Sequence, residues 1–377
     1  MRDALAERLL AEVMGWTPED VARERPSLQG MAAYKYDEYQ QFYPGMRFVE
    51  SLALWLGQFA PGEERRIAYD FVRKRLIFVS SAEEAHLISI AYPDFIRPLL
   101  FRRAAQAAGI PEKYLSRLAS SIEFRKLRRR SLFLGLSDGS HIDIFRRCNN
   151  YELSHEQIWQ TYDISREKAD DLLKELSKDL RKLLTKANDV DTDCYFQSVF
   201  LLDDFSGSGL SYIRNEEKSE KISGKIAKLC QRLVAPDSEL SKLIRTNDLF
   251  ICLVLYIATR KAEYHLKSQM NRLFMEKGIQ HSIHVMQPIE DDVTLMDGFD
   301  DPFLGLVDDD RYYDQRVETE STEKGGSGVK RGFANCALPI VLGHNTPNNS
   351  VFLLWANPNS YTVRGLFPRI ERHRGEA

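Results

Sequence analysis

The residues best suited to chemistry in this 377-residue chain lie in Val199-Phe200-Leu201-Leu202-Asp203-Asp204-Phe205-Ser206-Gly207-Ser208-Gly209-Leu210-Ser211. Four apolar residues read as a buried strand, and two adjacent carboxylates close it. A loop of small residues follows, able to bring backbone N–H groups close to an anion, and Ser208 and Ser211 add hydroxyl donors. A helix starting beyond the loop would turn its N-terminus toward the same point. Carboxylates that grip sugar hydroxyls, beside a nest that grips a phosphate, make a sugar phosphate the natural ligand. Two other readings compete. An apolar run ending in Asp-Asp also describes a Walker B strand, which demands a phosphate loop elsewhere. The nearest candidate, Ser223-Gly224-Lys225-Ile226, lacks the first Gly and the final hydroxyl of that motif. A tight strand-to-helix turn with no ligand leaves two acids at a buried strand end unexplained.

Two further turns carry polar groups. Ser137-Asp138-Gly139-Ser140 follows the apolar run Leu132–Leu136. Gly343-His344-Asn345-Thr346-Pro347-Asn348-Asn349 follows Leu338–Leu342. His344 has the side chain suited to proton transfer near neutral pH. Asn345, Asn348 and Asn349 carry the paired donor and acceptor that read a base edge or a sugar. The alternative is an Asx-rich loop that caps its own backbone. The acidic segment from Glu290 to Asp310 reads as a solvated loop, with a divalent-cation site as the other possibility.

The elements that must position these turns alternate between apolar strands and amphipathic helices. Strands are expected at Leu132–Leu136, Val199–Leu202, Leu249–Ala258, Ile283–Met286 and Leu338–Leu342. Helical pattern runs from Ser154, with a break near Asp163, to about Leu184, from Ser219 to Leu233, and from Arg260 to Lys277, where Gly278 stops it. Such alternation predicts an α/β fold, a mostly parallel sheet with helices on both faces. Its ligands sit at the carboxyl ends of the strands, which would bring the 203–211 and 343–350 loops to one pocket.

Residues 1–128 read as a helical N-terminal region. Thr17-Pro18-Glu19-Asp20 is a helix start, and Leu76–Val79 is a short strand. The order of elements suits a winged-helix-like module, or a helical cap on the main domain. The region ends in the basic run Arg125-Lys126-Leu127-Arg128-Arg129-Arg130, either a solvated helix end or a phosphate-contacting patch. The pattern changes at Ser131, so the second domain is expected over 129–377.

Composition excludes several classes. With 43% hydrophobic and 28% charged residues the chain is neither disordered nor collagen-like. The net charge of -3 is not that of a nucleic-acid coat. No run approaches the roughly 20 apolar residues of a membrane span. The five cysteines form no C-x-x-C pair, which fits reduced thiols in a cytoplasmic protein.

The stretch Asp203 to Ser211 resembles the PRPP-binding motif of type I phosphoribosyltransferases: an apolar strand, two acids, three variable residues, Thr or Ser, Gly, one variable residue, then Thr or Ser. The resemblance implies a type I phosphoribosyltransferase-like fold. It implies that Asp203 and Asp204 hold the ribose hydroxyls and act as catalytic and Mg²⁺-binding acids. Phe205, Ser206, Gly207, Ser208, Gly209, Leu210 and Ser211 would cradle the 5′-phosphate. Ser137, Asp138, Gly139 and Ser140 stand where that fold holds the pyrophosphate and its Mg²⁺. His344 is the candidate acid or base, with Asn345 and Asn348 as substrate contacts. Over residues 40 to 357 the chain is similar to the phosphoribosyltransferase-like proteins of bacterial conflict systems, through Leu134–Gly139, Leu202–Gly209 and Leu338–Ser350. That likeness implies a PRPP or nucleotide ligand and a retron-type or related anti-phage setting, with a protein or nucleic-acid partner. The mobile loop of these enzymes has only a short counterpart, Thr185–Asp193, and a polar insert, Asn215–Ser219, follows the motif. Attack at ribose C1′, by transfer or glycosidic cleavage, is the expected chemistry; a nucleotide-sensing regulator acting through the N-terminal region is the alternative.

Overall fold

The computed structural model describes residues 2–162, 164–185, 194–216, 222–319, 322, 324–326, 328–356 and 363–369. The strands along them are β1 (Ile77–Val79), β2 (Ser131–Gly135), β3 (Ile158–Gln160), β4 (Ser198–Ser206), β5 (Arg214–Asn215), β6 (Ile222–Ser223), β7 (Phe250–Thr259), β8 (Gln280–Ile289) and β9 (Ile340–Leu342). The chain divides into two compact units. One is built from Met1–Glu83 together with Glu290–Ala377, the other from the intervening Glu84–Ile289.

The middle unit is organised on a sheet of order β3-β2-β4-β7-β8. Every neighbouring pair in it is parallel. Parallel neighbours need long crossovers, and helices supply them: Arg166–Thr185 before β4, Lys225–Val234 before β7 and Arg260–Met275 before β8. Both faces are covered, so the strands read as continuous apolar runs. On one face Leu134, Leu201 and Leu253 pack with Leu172, Ile226 and Leu266 of those helices. On the other, the Phe133 ring stacks on Phe200 at 5.1 Å and meets Phe145 at 5.4 Å. From β2 the chain moves outward to β3, then returns to place β4 on the other side of β2. The gap between the carboxyl ends of β2 and β4 is therefore the topological switch point, where open α/β sheets take their ligands.

The other unit joins the two ends of the chain in one core. Phe48, Trp55 and Phe71 share it with Phe303, Leu353 and Phe367. The Phe71 and Phe303 rings stack with centroids 3.7 Å apart. Trp55 Nε1 donates to the Leu353 carbonyl at 2.8 Å, Ser51 Oγ to that of Leu366 at 2.7 Å, and the Tyr39 hydroxyl to that of Pro368 at 2.8 Å. β1 runs parallel to β9, with Phe78 opposite Val341. The expected start at Thr17 is present as a reciprocal cap between Thr17 and Asp20.

Several expectations are corrected here. The boundary at 128/129 falls inside the middle unit, which also holds residues 84–128. A winged-helix-like module within 1–128 does not form, because β1 takes its partner from the far end of the chain. β9 pairs with β1 in a separate two-stranded sheet, so the loop after it does not end a strand of the main sheet. β3 interrupts what reads as helical pattern after Ser154. A three-residue edge strand is too short to show a period. The acidic segment is not a plain solvated loop: Asp301–Asp308 is a helix that buries Phe303, Leu304, Leu306 and Val307. Its flanking acids pair with arginines, Asp300 with Arg75, and Asp297 and Asp308 with Arg331. In the basic run, Arg128 pairs with Glu152 and Arg129 with Asp179, so these two are spent on internal ion pairs.

Candidate functional site

β4 does not end at Leu202. It continues through Ser206, with Asp203 opposite Leu255 and Ser206 opposite Ala258 on β7. Because the two acids sit within a strand, their side chains leave from opposite faces. Asp203 falls on the side of Val199 and Leu201 and is fully buried. Asp204 falls on the side of Phe200 and is half-buried.

Asp203 is held by three donors. Ser137 Oγ donates to Oδ1. The Tyr212 hydroxyl lies 2.7 Å from Oδ2 and Lys225 Nζ 2.6 Å from the same oxygen. Burial pushes the Asp203 carboxyl up from its ordinary value, with the charge of Asp204 adding to it, against the pull of the Lys225 ammonium. Burial, and then the charges of Asp203 and Asp204, raise the Tyr212 phenol well above its usual range. Tyr212 is thus a donor at any working pH, and the Lys225 ammonium also lies 4.9 Å from its ring centroid.

The turn after β2 meets the end of β4. Leu136 N–H donates to the Leu202 carbonyl at 3.0 Å, and Ser137 then reaches Asp203. Gly139 packs on the other acid, where a Cβ would lie 2.2 Å from Asp204 Oδ2. Ser140, fully buried, donates Oγ to the Ser137 carbonyl at 2.6 Å and receives the Tyr256 hydroxyl on its own carbonyl at 3.0 Å. The Tyr162 hydroxyl donates to Asp138 Oδ1 at 2.5 Å. The expected turn and the expected acids therefore share one edge.

The loop beyond β4 turns at Gly209, whose φ of 79° suits a residue without Cβ; a Cβ there would meet His265 at 2.8 Å. Thr259 at the end of β7 donates Oγ1 to the Gly207 carbonyl at 2.6 Å. Ser206 is 3% exposed, and its Oγ has no partner among the described residues. Ser208 Oγ accepts the Leu210 N–H at 3.4 Å. Phe205 is half-buried and its carbonyl accepts the Tyr212 hydroxyl at 3.0 Å. Ser211 is exposed, and its carbonyl accepts the Lys225 N–H at 3.1 Å. The next helix begins at Lys225 rather than directly beyond Ser211, after the β5–β6 pair. Residues 186–193 and 217–221, where the mobile loop and part of the polar insert are expected, lie outside the described residues.

His344, Asn345 and Asn348 belong to the other unit. There the His344 carbonyl accepts from Gln41 Nε2 at 2.7 Å, and the Asn348 carbonyl from Phe333 N–H at 2.7 Å. Asn345 N–H closes a turn on Leu342 at 3.1 Å. Asn349 Nδ2 caps the Phe333 carbonyl at 3.1 Å, and Thr346 Oγ1 donates to that of Phe367 at 2.8 Å. Much of this loop is thus spent on its own unit's backbone.

Four residues at the edge escape a reading of the sequence. Tyr212 and Tyr256 carry no local signal, because what matters is where their hydroxyls land. Gln160, which reaches Ser140 Oγ at 3.3 Å, sits on the unrecognised β3. Lys225 does carry one, a Gly-Lys pair opening an amphipathic helix, set aside because the phosphate-loop pattern around it is incomplete.

A doubly covered parallel sheet with an acid pair and a Ser/Gly loop at its switch point is a phosphoribosyltransferase-like arrangement. The family model described as PRTase-CE matches residues 52–369, and the chain belongs to that family. No curated protein and no solved structure matches the chain. No helix among the described residues is long and apolar enough to cross a membrane.

Proposed function

We propose that the chain binds PRPP or a related nucleotide with Mg²⁺ at the edge formed by 137–140 and 203–211, and acts at ribose C1′ by phosphoribosyl transfer or N-glycosidic cleavage. The observation that carries this reading is the Ser137–Asp203 hydrogen bond, which ties the two ligand turns together at the switch point. In this reading the two acids differ in role. Asp203 already accepts from three donors out of about four acceptor directions on a carboxylate, and beside an ammonium it is a poor cation ligand. It positions the turn. Asp204, half-buried against Gly139, fits Mg²⁺ and the ribose hydroxyls. The ion would neutralise the charge on a leaving pyrophosphate. The 206–211 loop would hold the 5′-phosphate, with the Ser206 hydroxyl as an available donor. The resemblance of 134–139, 202–209 and 338–350 supports a place in bacterial anti-phage defence with a protein or nucleic-acid partner.

A nucleotide-sensing regulator is the second reading, favoured by the complete burial of Asp203 under its own donors. Turnover separates the two. Incubation with PRPP, NAD and nucleotides, followed by chromatography, should show a released base or pyrophosphate for an enzyme and unchanged ligand for a sensor. Binding is tested by calorimetry with PRPP, NAD and nucleotides, each with and without Mg²⁺. No heat with any of these ligands overturns both readings.

A further inference from the structure

We infer that Lys225 is a phosphoryl-binding residue of this edge, its ammonium shared between Asp203 and a phosphate oxygen of the ligand; the inference rests on the reading of the site given above. Lys225 opens the helix Lys225–Val234, and Gly224 before it has a φ of 112° and a backbone so close to Tyr212 that a Cβ would lie 2.3 Å from the Tyr212 carbonyl oxygen. That close approach drives the helix start onto the end of β4. Nζ reaches Asp203 Oδ2 at 2.6 Å, while Ser137 holds Oδ1 of the same carboxylate. The ammonium therefore stands beside the point where the two turns meet.

The pair is lopsided. The Asp203 side chain is completely buried, whereas that of Lys225 is 33% exposed. An ammonium has three donors. One goes to Asp203, Nζ has no other hydrogen-bond partner among the described residues, and a side chain one-third exposed leaves an approach for an incoming anion. Asp203 in turn fixes the ammonium, so no rotamer freedom is lost when a phosphoryl group arrives.

The experiment compares four full-length proteins by calorimetry with inorganic pyrophosphate and with ribose 5-phosphate: wild type, Lys225→Arg, Asp203→Asn and the double variant Asp203→Asn/Lys225→Met. The last two leave no unpaired buried carboxylate, so their comparison survives if Lys225→Met alone fails to fold. Loss of a charge-assisted contact should weaken the double variant about 10- to 100-fold relative to Asp203→Asn, with Lys225→Arg close to wild type. A loss confined to pyrophosphate puts Nζ on the pyrophosphate; one confined to ribose 5-phosphate puts it on the 5′-phosphate. Equal affinities of Asp203→Asn and the double variant overturn the inference while leaving the site intact. Absence of binding by the wild type overturns the site reading and the inference with it.

Discussion

Gly139 and Asp204 lie so close that a Cβ on the glycine would sit 2.2 Å from Oδ2 and 2.7 Å from Cγ of the aspartate. The turn after β2 thereby sets the direction of the acid on β4 that is proposed to face the ligand. Gly139→Ala must push that carboxylate aside. Ligand affinity is expected to fall about tenfold or more, for a stability cost of about 1 kcal/mol, since only the end of a short side chain has to move. Calorimetry beside thermal denaturation checks this, and unchanged affinity would show that Asp204 does not face the ligand.

The two acids should separate in mutagenesis. Asp203→Asn presents an amide to the hydroxyls and ammonium that now donate to a carboxylate. It is expected to cost about 3 kcal/mol, the scale of breaking a buried charge pair from one side. Asp204→Asn should leave the melting curve nearly in place and abolish most Mg²⁺-dependent binding. If both variants lose stability equally, the division of roles is wrong.

Tyr212→Phe keeps the ring and removes the hydroxyl that reaches Asp203 Oδ2 and the Phe205 carbonyl. The buried Asp203 carboxylate and the part-buried Phe205 carbonyl lose a shared donor, and the expected cost is about 1–3 kcal/mol by urea denaturation. A neutral result would mean that water replaces the hydroxyl.

His284 on β8 provides a pH test. Burial, with Arg102 and Lys267 nearby, holds its imidazole below the ordinary value of 6.5. The unfolded chain therefore takes up the proton first. The contribution of this group is complete above pH 6.5 and is lost as pH falls from there toward its folded value. His284→Gln should flatten the melting temperature between about pH 7 and pH 5. An equally steep profile in the variant assigns the acid sensitivity to other groups.

The division of the chain can be cut directly. A fragment of residues 84–289 contains both ligand turns and its own sheet, and it is expected to melt cooperatively. A fragment of 1–128 should not, because Ser51, Trp55 and Tyr39 lose the backbone partners they find at 353–368. Circular dichroism during heating distinguishes the outcomes.

The sequence by itself carried the place of the acid pair and its turns and the class of the fold. Asp203 to Ser211 follows an apolar run because the strand is covered on both faces, and a doubly buried strand shows as a continuous hydrophobic stretch. Ser137–Ser140 was legible for the same reason, as turn residues after such a run. What the sequence did not determine depends on contacts between residues far apart. Two adjacent aspartates look equivalent in one dimension, yet the strand's two-residue period sends one into a cage of Ser137, Tyr212 and Lys225 and the other toward Gly139. The loop at 343–350 read as the end of a main-sheet strand because β9 has the composition of a sheet strand. Composition does not name a strand's partner, and β9 found β1 instead. Periodicity and turn chemistry are local and can be read in order along the chain. Partner choice, and with it the sorting of one acid into the core and the other toward solvent, is set only when the folded chain brings its distant segments together.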